Sequence, residues 1–486
     1  MTARLTDGLT DTNAVAQPPI GRPMLFIECT NTYRSAVQTG IQRVVRNILR
    51  HAGAVAAEHG FDMVPVVLHG GQFRAASLDE ILRDKLQGPQ QPPRRGRWPR
   101  MRRLYHDARS ATAAALPHPA VRRFLFAHPI EFGLAWCLMT PLRLWRMVQQ
   151  TRPVQPADPL VLRDGLGLSL DASAKHSGNV LLLLDASWHL RVWPAVARFQ
   201  RAGGDVQSVV YDLVPLTHSD ATADGLRAEF LDWMRQSLRH RLRYLAISRT
   251  VAGQLDGWLA EQSPRGVPLL PARPFYLGSE LDFSRQDSVT RPEVQAVFDG
   301  PLHVFIVVGS IEPRKNHSFI LDAFEDLWRT GVRAKLVIIG RSGWKNEDLV
   351  ARITGHAQYR TQLFLLRDID DSELGYAYGE ASALVIASTV EGFGLPVVEA
   401  FQRGLPVLCS DIPVFREIAD GRATFFHLAS PQNLADAVSG FCAAHDPQLR
   451  RQRQPSGWIT WRESTGQLLD AVLATGPIQG PAMPPS

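Results

Sequence analysis

A chain of 486 residues with 45% hydrophobic content and a formal charge of +6 is too long for one ordinary core, so two or more globular domains are expected. A modest positive excess without any nucleic-acid-binding module argues against a nucleic-acid partner. The four cysteines, Cys29, Cys137, Cys409 and Cys442, lack metal-ligand spacing and suit buried thiols in a reducing compartment. Residues 1–22 are polar, without the apolar core of a signal peptide, and read as a disordered leader. No uninterrupted apolar stretch is long enough to predict a membrane-spanning helix.

Met24–Cys29 reads as a first strand. A polar loop follows, and then Gly40 opens a segment with apolar residues at 41, 44, 45, 48 and 49, the spacing of one helix face. By spacing alone this is either an ordinary helix start or a phosphate-facing one. Gly60 reads as the stop of that helix. Phe61–Leu68 reads as the next strand, although Pro65 cannot donate to a ladder. From 87 to 156 the composition shifts. A dense basic run, Pro92–Arg103, precedes the apolar, tryptophan-containing stretch Ile130–Val148. This reads as an insertion whose basic and aromatic content suits an anionic membrane surface. The alternatives are a basic disordered loop and a helical subdomain packing on the protein itself.

Asn179–Asp185 is a buried strand ending in a carboxylate. Asp185 is a candidate for the acceptor side, as are Asp212 in the strand predicted at Gln207–Leu216 and His218 just beyond it; such residues are more often structural. Tyr244–Thr250 reads as a strand entering a helix, with Ser248 as its cap. Pro274–Gly278 reads as a strand and Ser279–Gly300 as a polar linker.

From Val304 onward strands and helices alternate, as a doubly wound parallel sheet requires. Strand Val304–Gly309 is followed by Ser310, Arg314 and Lys315, cations at a strand's carboxyl end that can neutralise a diphosphate. Asp368-Ile369-Asp370 has the look of a metal-binding pair, but Asp370 and Asp371 precede a helix and fit capping. Nothing else supplies the oxygens that a divalent ion wants, so no metal is expected. The apolar run Ala383–Ala387 then leads into Glu391-Gly392-Phe393-Gly394-Leu395-Pro396-Val397-Val398-Glu399-Ala400. Strand, glycine loop and helix follow one another, with Pro396 in the first helical turn. The loop leaves N–H groups at the positive end of a helix, which suits a phosphate. Glu391 and Glu399 flank it and are suited to accepting hydrogen bonds from the hydroxyls of a sugar.

This last stretch closely resembles the signature of glycosyltransferase family 4, with its two glutamates eight positions apart. The resemblance is dense over residues 300–475 and thin before them. It implies an α/β chain of GT-B fold: two Rossmann-like domains facing a central cleft, with the helical, basic insertion in the first. The implied boundaries are 23–285 for the acceptor-binding domain and 286–456 for the nucleotide-sugar domain. A helix at 457–475 would return to the first domain, and 476–486 would be a loose tail. It implies a retaining, metal-independent transferase acting on a nucleoside-diphosphate sugar. Glu399 would take the ribose, Glu391 the donor sugar, and the N–H groups of Gly392, Phe393, Gly394 and Leu395 sugar and phosphate. Gly309, Arg314 and Lys315 would hold the diphosphate. Ser310 stands where the family usually has an arginine, which shifts that duty toward Arg314. Ile369 would lie near the base. Gly40, followed by Ile41 and Arg43, matches a family pattern at the donor cleft. Tyr211 stands where a histidine is common.

The expected partners are the nucleotide sugar, of a GDP-mannose type, a lipid-linked or glycan acceptor in bacterial surface glycan synthesis, and an anionic membrane surface. The expected place is the cytoplasm, peripheral on the inner membrane. A GT-B sugar-nucleotide epimerase and a non-catalytic, membrane-associated sugar-nucleotide binder are the alternatives.

Overall fold

The computed structural model describes residues 22–35, 40–82, 178–218, 222, 225–262, 270–279, 290–341, 343, 346–448, 454 and 457–474. The insertion at 87–156, nearly all of the leader and the tail at 476–486 lie outside them. Two sheets organise these residues. The first contains β1 (Met24–Glu28), β2 (Asp62–His69), β3 (Gln72–Ala75), β4 (Val180–Leu183), β5 (Asp205–Val210), β6 (Arg243–Ala246) and β7 (Arg273–Pro274). Its order is β3-β2-β1-β4-β5-β6-β7, parallel except for the β2–β3 pair.

The second sheet contains β8 (His303–Val308), β9 (Ala334–Ile339), β10 (Leu363–Leu366), β11 (Ala383–Ile386), β12 (Val407–Ser410) and β13 (Thr424–Phe426). Its order is β10-β9-β8-β11-β12-β13, parallel throughout. The expected pair of doubly wound lobes is therefore observed. Parallel strands covered on both faces must be apolar along their whole length, which is why β4 and β11 read as unbroken runs and are buried throughout. In each sheet the strand order reverses once, between β1 and β4 and between β8 and β11. Open α/β sheets bind ligands beyond the strand ends at such points.

Several boundaries differ from expectation, each for a physical reason. Pro65 sits inside β2, and its carbonyl accepts the Ala76 N–H. A strand residue's N–H and C=O point to the same side, so the missing donor falls toward β3, beyond the end of that short ladder, and costs β1 nothing. The strand expected over Gln207–Leu216 stops at Val210, because Val214–Thr217 forms a helical turn with Pro215 in its first positions. The segment read as a polar linker contains the helix Pro292–Phe298, which buries Val294 and Phe298. Of Pro274–Gly278 only Pro274 belongs to a strand; Trp458 Nε1 instead donates to the Leu277 carbonyl at 2.7 Å.

The last helix, Trp461–Leu473, starts from a capping box made by Thr460 and Glu463. It packs on the helix Gly40–Glu58 of the first lobe. His59 pairs with Asp470 at 3.0 Å, and Gln207 Nε2 donates to the Val472 carbonyl at 2.9 Å. The chain thus closes on the lobe in which it began. Among the described residues no helix is long and apolar enough to cross a membrane.

Candidate active site

The first part of the site is built at the end of β8. Gly309 has φ +142°, and a Cβ there would lie 3.6 Å from Lys315 Cε, so the lysine stem lies back over this glycine. A 3-10 turn, Pro313–Lys315, and Asn316 in the left-handed region at φ 55° then turn the chain into the helix His317–Arg329. The Thr389 N–H donates to the Arg314 carbonyl at 2.9 Å, tying this turn to the loop after β11. Arg314 and Lys315 thereby reach Glu391.

Arg314 Nη1 donates to Glu391 Oε2 at 2.7 Å, and its Nε donates to Glu312 Oε2 at 3.2 Å. Lys315 Nζ donates to Glu391 Oε1, which also accepts from Ser388 Oγ at 2.9 Å. Burial by itself would raise the Glu391 pKa, but the Arg314 and Lys315 charges outweigh it and hold it at about 2. Conversely, burial would lower the Arg314 pKa, yet Glu391, Glu312 and Asp212 drive it up. Burial raises Asp212, opposed by Arg314; its carboxylate also accepts the Val214 N–H at 3.0 Å. Ser310 Oγ donates to Glu312 Oε1 at 2.6 Å. The two cations that sequence assigned to a diphosphate thus already neutralise Glu391, and the serine at the family's usual arginine position is tied to Glu312.

The glycine loop uses its glycines differently from one another. Gly394 has φ +104°, and a Cβ there would meet the Phe415 ring at 2.6 Å. Gly392, by contrast, does not have a positive φ. What it supplies is space: a Cβ would lie 2.0 Å from the Tyr211 carbonyl oxygen of the other lobe. Ser248 caps the helix Arg249–Gln262, accepting the Val251 N–H at 3.1 Å, and its hydroxyl donates to the Gly392 carbonyl at 2.9 Å. Phe393 is buried, with its ring 6.2 Å from Tyr276 and 6.1 Å from Trp458. Leu395 begins the helix Leu395–Gln402, with Pro396 behind it.

Within that helix Glu399 is 3% exposed. Its Oε2 accepts from Tyr378 Oη at 2.7 Å, and its Oε1 lies 2.8 Å from Arg43 Nη1, on the first-lobe helix that Gly40 opens. A Cβ on Gly40 would meet open space, so no close approach requires that glycine. Ile369 is partly buried in the loop before the helix Asp371–Glu380. Asp370 caps that helix, accepting the Glu373 N–H at 2.9 Å. Among the described residues no group of three or more His, Cys, Asp or Glu side chains could hold a metal ion.

The acceptor-side candidates separate. Asp212 joins the Arg314 cluster. The His218 ring hydrogen-bonds its neighbour Thr217 at 2.9 Å. Asp185 lies at the switch point of the first sheet, beside Glu28. Glu28 accepts from the Thr30 N–H at 2.7 Å and from Ser187 Oγ at 2.9 Å. Asp185 accepts from the N–H groups of Thr32 and Ala186. Burial, then the charge of Asp185, pushes Glu28 up to about 7, and burial raises Asp185 as well. Sequence reading passed over Glu28 although it ends an apolar strand just as Asp185 does. It also passed over Glu312, Tyr378 and the pairing of Arg43, whose partners are remote in sequence.

Residues 293–454 match the family model of the glycosyl transferases group 1. Over 305 residues the chain is 35% identical to the serotype-specific mannosyltransferase WbdA of Escherichia coli, covering 62% of this chain and 37% of that protein. It is 32% identical over 174 residues to the O-antigen chain mannosyltransferase B of Escherichia coli, covering 34% of this chain and 44% of that one. The chain therefore spans less than half the length of these relatives. Among solved structures, Anabaena Alr3699/HepE in complex with UDP and glucose superposes with a TM-score of 0.52 at 10% identity, over 93% of this chain and 99% of that one. At that identity the likeness is one of fold.

Proposed function

The chain carries a glycosyl transferases group 1 domain at residues 293–454 on a GT-B fold, and from that premise we propose that it is a retaining glycosyltransferase. It moves a hexose, mannose by analogy with the names of its relatives, from a nucleoside diphosphate to a hydroxyl of a lipid-linked or polysaccharide acceptor in bacterial surface glycan synthesis. The donor is of the GDP-mannose type. The observation that carries this reading is the Arg314–Lys315–Glu391 cluster at the carboxyl ends of β8 and β11. When a glycosyl–phosphate bond breaks, charge builds on the leaving phosphate. Fixed cations and loop N–H groups stabilise that charge more in the transition state than in the ground state.

Glu391 keeps both cations aimed at one point before the donor arrives. Its oxygens then accept hydroxyls of the donor sugar while Arg314 and Lys315 turn to the diphosphate. Glu399 accepts the ribose hydroxyls, and the N–H groups of Gly392 to Leu395 serve sugar and phosphate. Gly309 and Ser310 line the diphosphate, Ile369 the base and Gly40 the donor cleft. Asp212 lies on the acceptor side. The reaction in this reading needs no metal and no bound cofactor. The protein works at the inner face of the inner membrane, held there by the 87–156 insertion. Deleting Arg94–Val148 then abolishes sedimentation with anionic vesicles, and a variant that still pellets contradicts that anchoring.

The test of the activity is a panel of nucleotide sugars with a lipid-linked acceptor, followed by linkage analysis. Consumption of one donor with formation of a glycoside of unchanged anomeric configuration is expected. Epimerised donor without transfer, or binding without turnover, overturns the reading.

A further inference from the structure

We propose that Arg43 is an intramolecular competitor for the ribose position: its guanidinium is paired with Glu399, and a nucleoside diphosphate must displace it to bind. The inference rests on the assignment of Glu399 to the ribose. Glu399 belongs to the second lobe and Arg43 to the first, so their 2.8 Å ion pair joins the lobes. A carboxylate only 3% exposed needs hydrogen-bond donors on its oxygens. The Tyr378 hydroxyl, at 2.7 Å, serves one oxygen and Arg43 the other, a place that ribose hydroxyls can fill.

A ribose presents two neighbouring hydroxyls and asks for both oxygens of one carboxylate. In this structure Oε2 faces Tyr378 and Oε1 faces Arg43. Tyr378 is fully buried in its own lobe and has nowhere to go. The Arg43 side chain is 22% exposed and hangs from the other lobe, so it is the partner that leaves. Its departure releases one tie between the lobes. The Ser248–Gly392 bond and the Thr250 N–H bond to Glu417 Oε2, at 2.9 and 2.8 Å, remain. Nucleotide occupancy is thus coupled to the helix Gly40–Glu58. A protein whose competent state is only partly populated binds its ligand more weakly by that fraction, and removing the competitor lifts the penalty.

The experiment is calorimetric titration of the full chain with GDP and with UDP, using wild type, Arg43→Gln, Arg43→Met, Glu399→Gln and the Arg43→Gln/Glu399→Gln double variant. Arg43→Met keeps the packing of the arginine stem should Arg43→Gln fold poorly. Both single Arg43 variants are expected to bind the preferred nucleotide about fivefold or more tightly than wild type. In the Glu399→Gln background the Arg43 substitution is expected to change nothing. Unchanged or weaker binding by both Arg43 variants overturns the competitor role while leaving the donor site standing. A wild-type protein that binds neither nucleotide removes the donor-site reading, and this inference with it.

Discussion

Gly392 meets Tyr211 across the two lobes so closely that a Cβ on the glycine would lie 2.0 Å from the tyrosine's carbonyl oxygen. The obstacle is backbone on both sides, so no side-chain rotation relieves it. Gly392→Ala is therefore expected to push the loop and β5 apart and break the Ser248 bond to the Gly392 carbonyl. Sugar transfer should fall at least about tenfold, since small misplacements of reacting groups cost that much or more. The second lobe, whose core does not include this contact, should keep its fold. Steady-state kinetics with circular dichroism check this; an alanine variant of wild-type activity would show that the contact does not set the geometry.

The acid limb of stability reports on Glu391. Its pKa of about 2 in the folded protein lies below the ordinary 4.5, so its contribution is present above pH 4.5 and is lost as pH falls toward 2. The shift corresponds to about 3 kcal/mol. Lys315→Met removes one of the two cations, lets the Glu391 pKa rise and should move the acid-unfolding midpoint to higher pH. Circular dichroism across that range measures it, and coincident midpoints for variant and wild type would count against the pairing.

Glu28 acts in the opposite direction. Its pKa is raised from 4.5 to about 7, so the folded state holds its proton more tightly than the unfolded chain. That contribution is complete below pH 4.5 and is lost as pH rises through about 7. Asp185, raised as well, adds in the same direction, and Cys29 and Tyr211, whose pKa values are raised first by burial and then by the charges of Glu28 and Asp185, face the pair. The wild-type melting temperature should therefore drop between about pH 5 and about pH 8, and Glu28→Gln should flatten that drop. Parallel slopes in thermal melts of the two proteins would contradict it.

The sequence showed more of the frame than of the site's contacts. Runs such as Val180–Leu183 and Ala383–Ile386 identify themselves because a parallel strand covered on both faces has to be apolar throughout. Lys315 and the Glu391–Glu399 stretch are legible as residues that lead from a strand's carboxyl end into a helix, and the resemblance to glycosyltransferase family 4 adds Gly309 and the roles of the two glutamates. What a residue meets across the molecule leaves no local mark. Gly392 carries no sign that its neighbour is Tyr211, nor Arg43 that its partner is Glu399, 356 positions later by their numbers. Asp212 and His218 looked equivalent in sequence. The helical turn Val214–Thr217 separates them, leaving Asp212 beside Arg314 and His218 on Thr217.

The closing helix bears weight that its position at the far end of the sequence does not suggest. Leu468 is fully buried on this helix, which packs on Gly40–Glu58. Leu468→Ala should cost about 2–5 kcal/mol of stability and loosen the helix that carries Arg43. Chemical denaturation followed by circular dichroism reads the loss, and a change below about 1 kcal/mol would show that the helix is dispensable for the first lobe.

The most direct test of the account is the rate at which purified wild type and Lys315→Ala release nucleoside diphosphate from the donor sugar in the presence of acceptor. If Lys315 steadies the leaving diphosphate in the transition state, kcat should fall by about 10²- to 10³-fold while the donor KM moves little. Equal turnover by the two proteins, or a loss confined to KM, would contradict it.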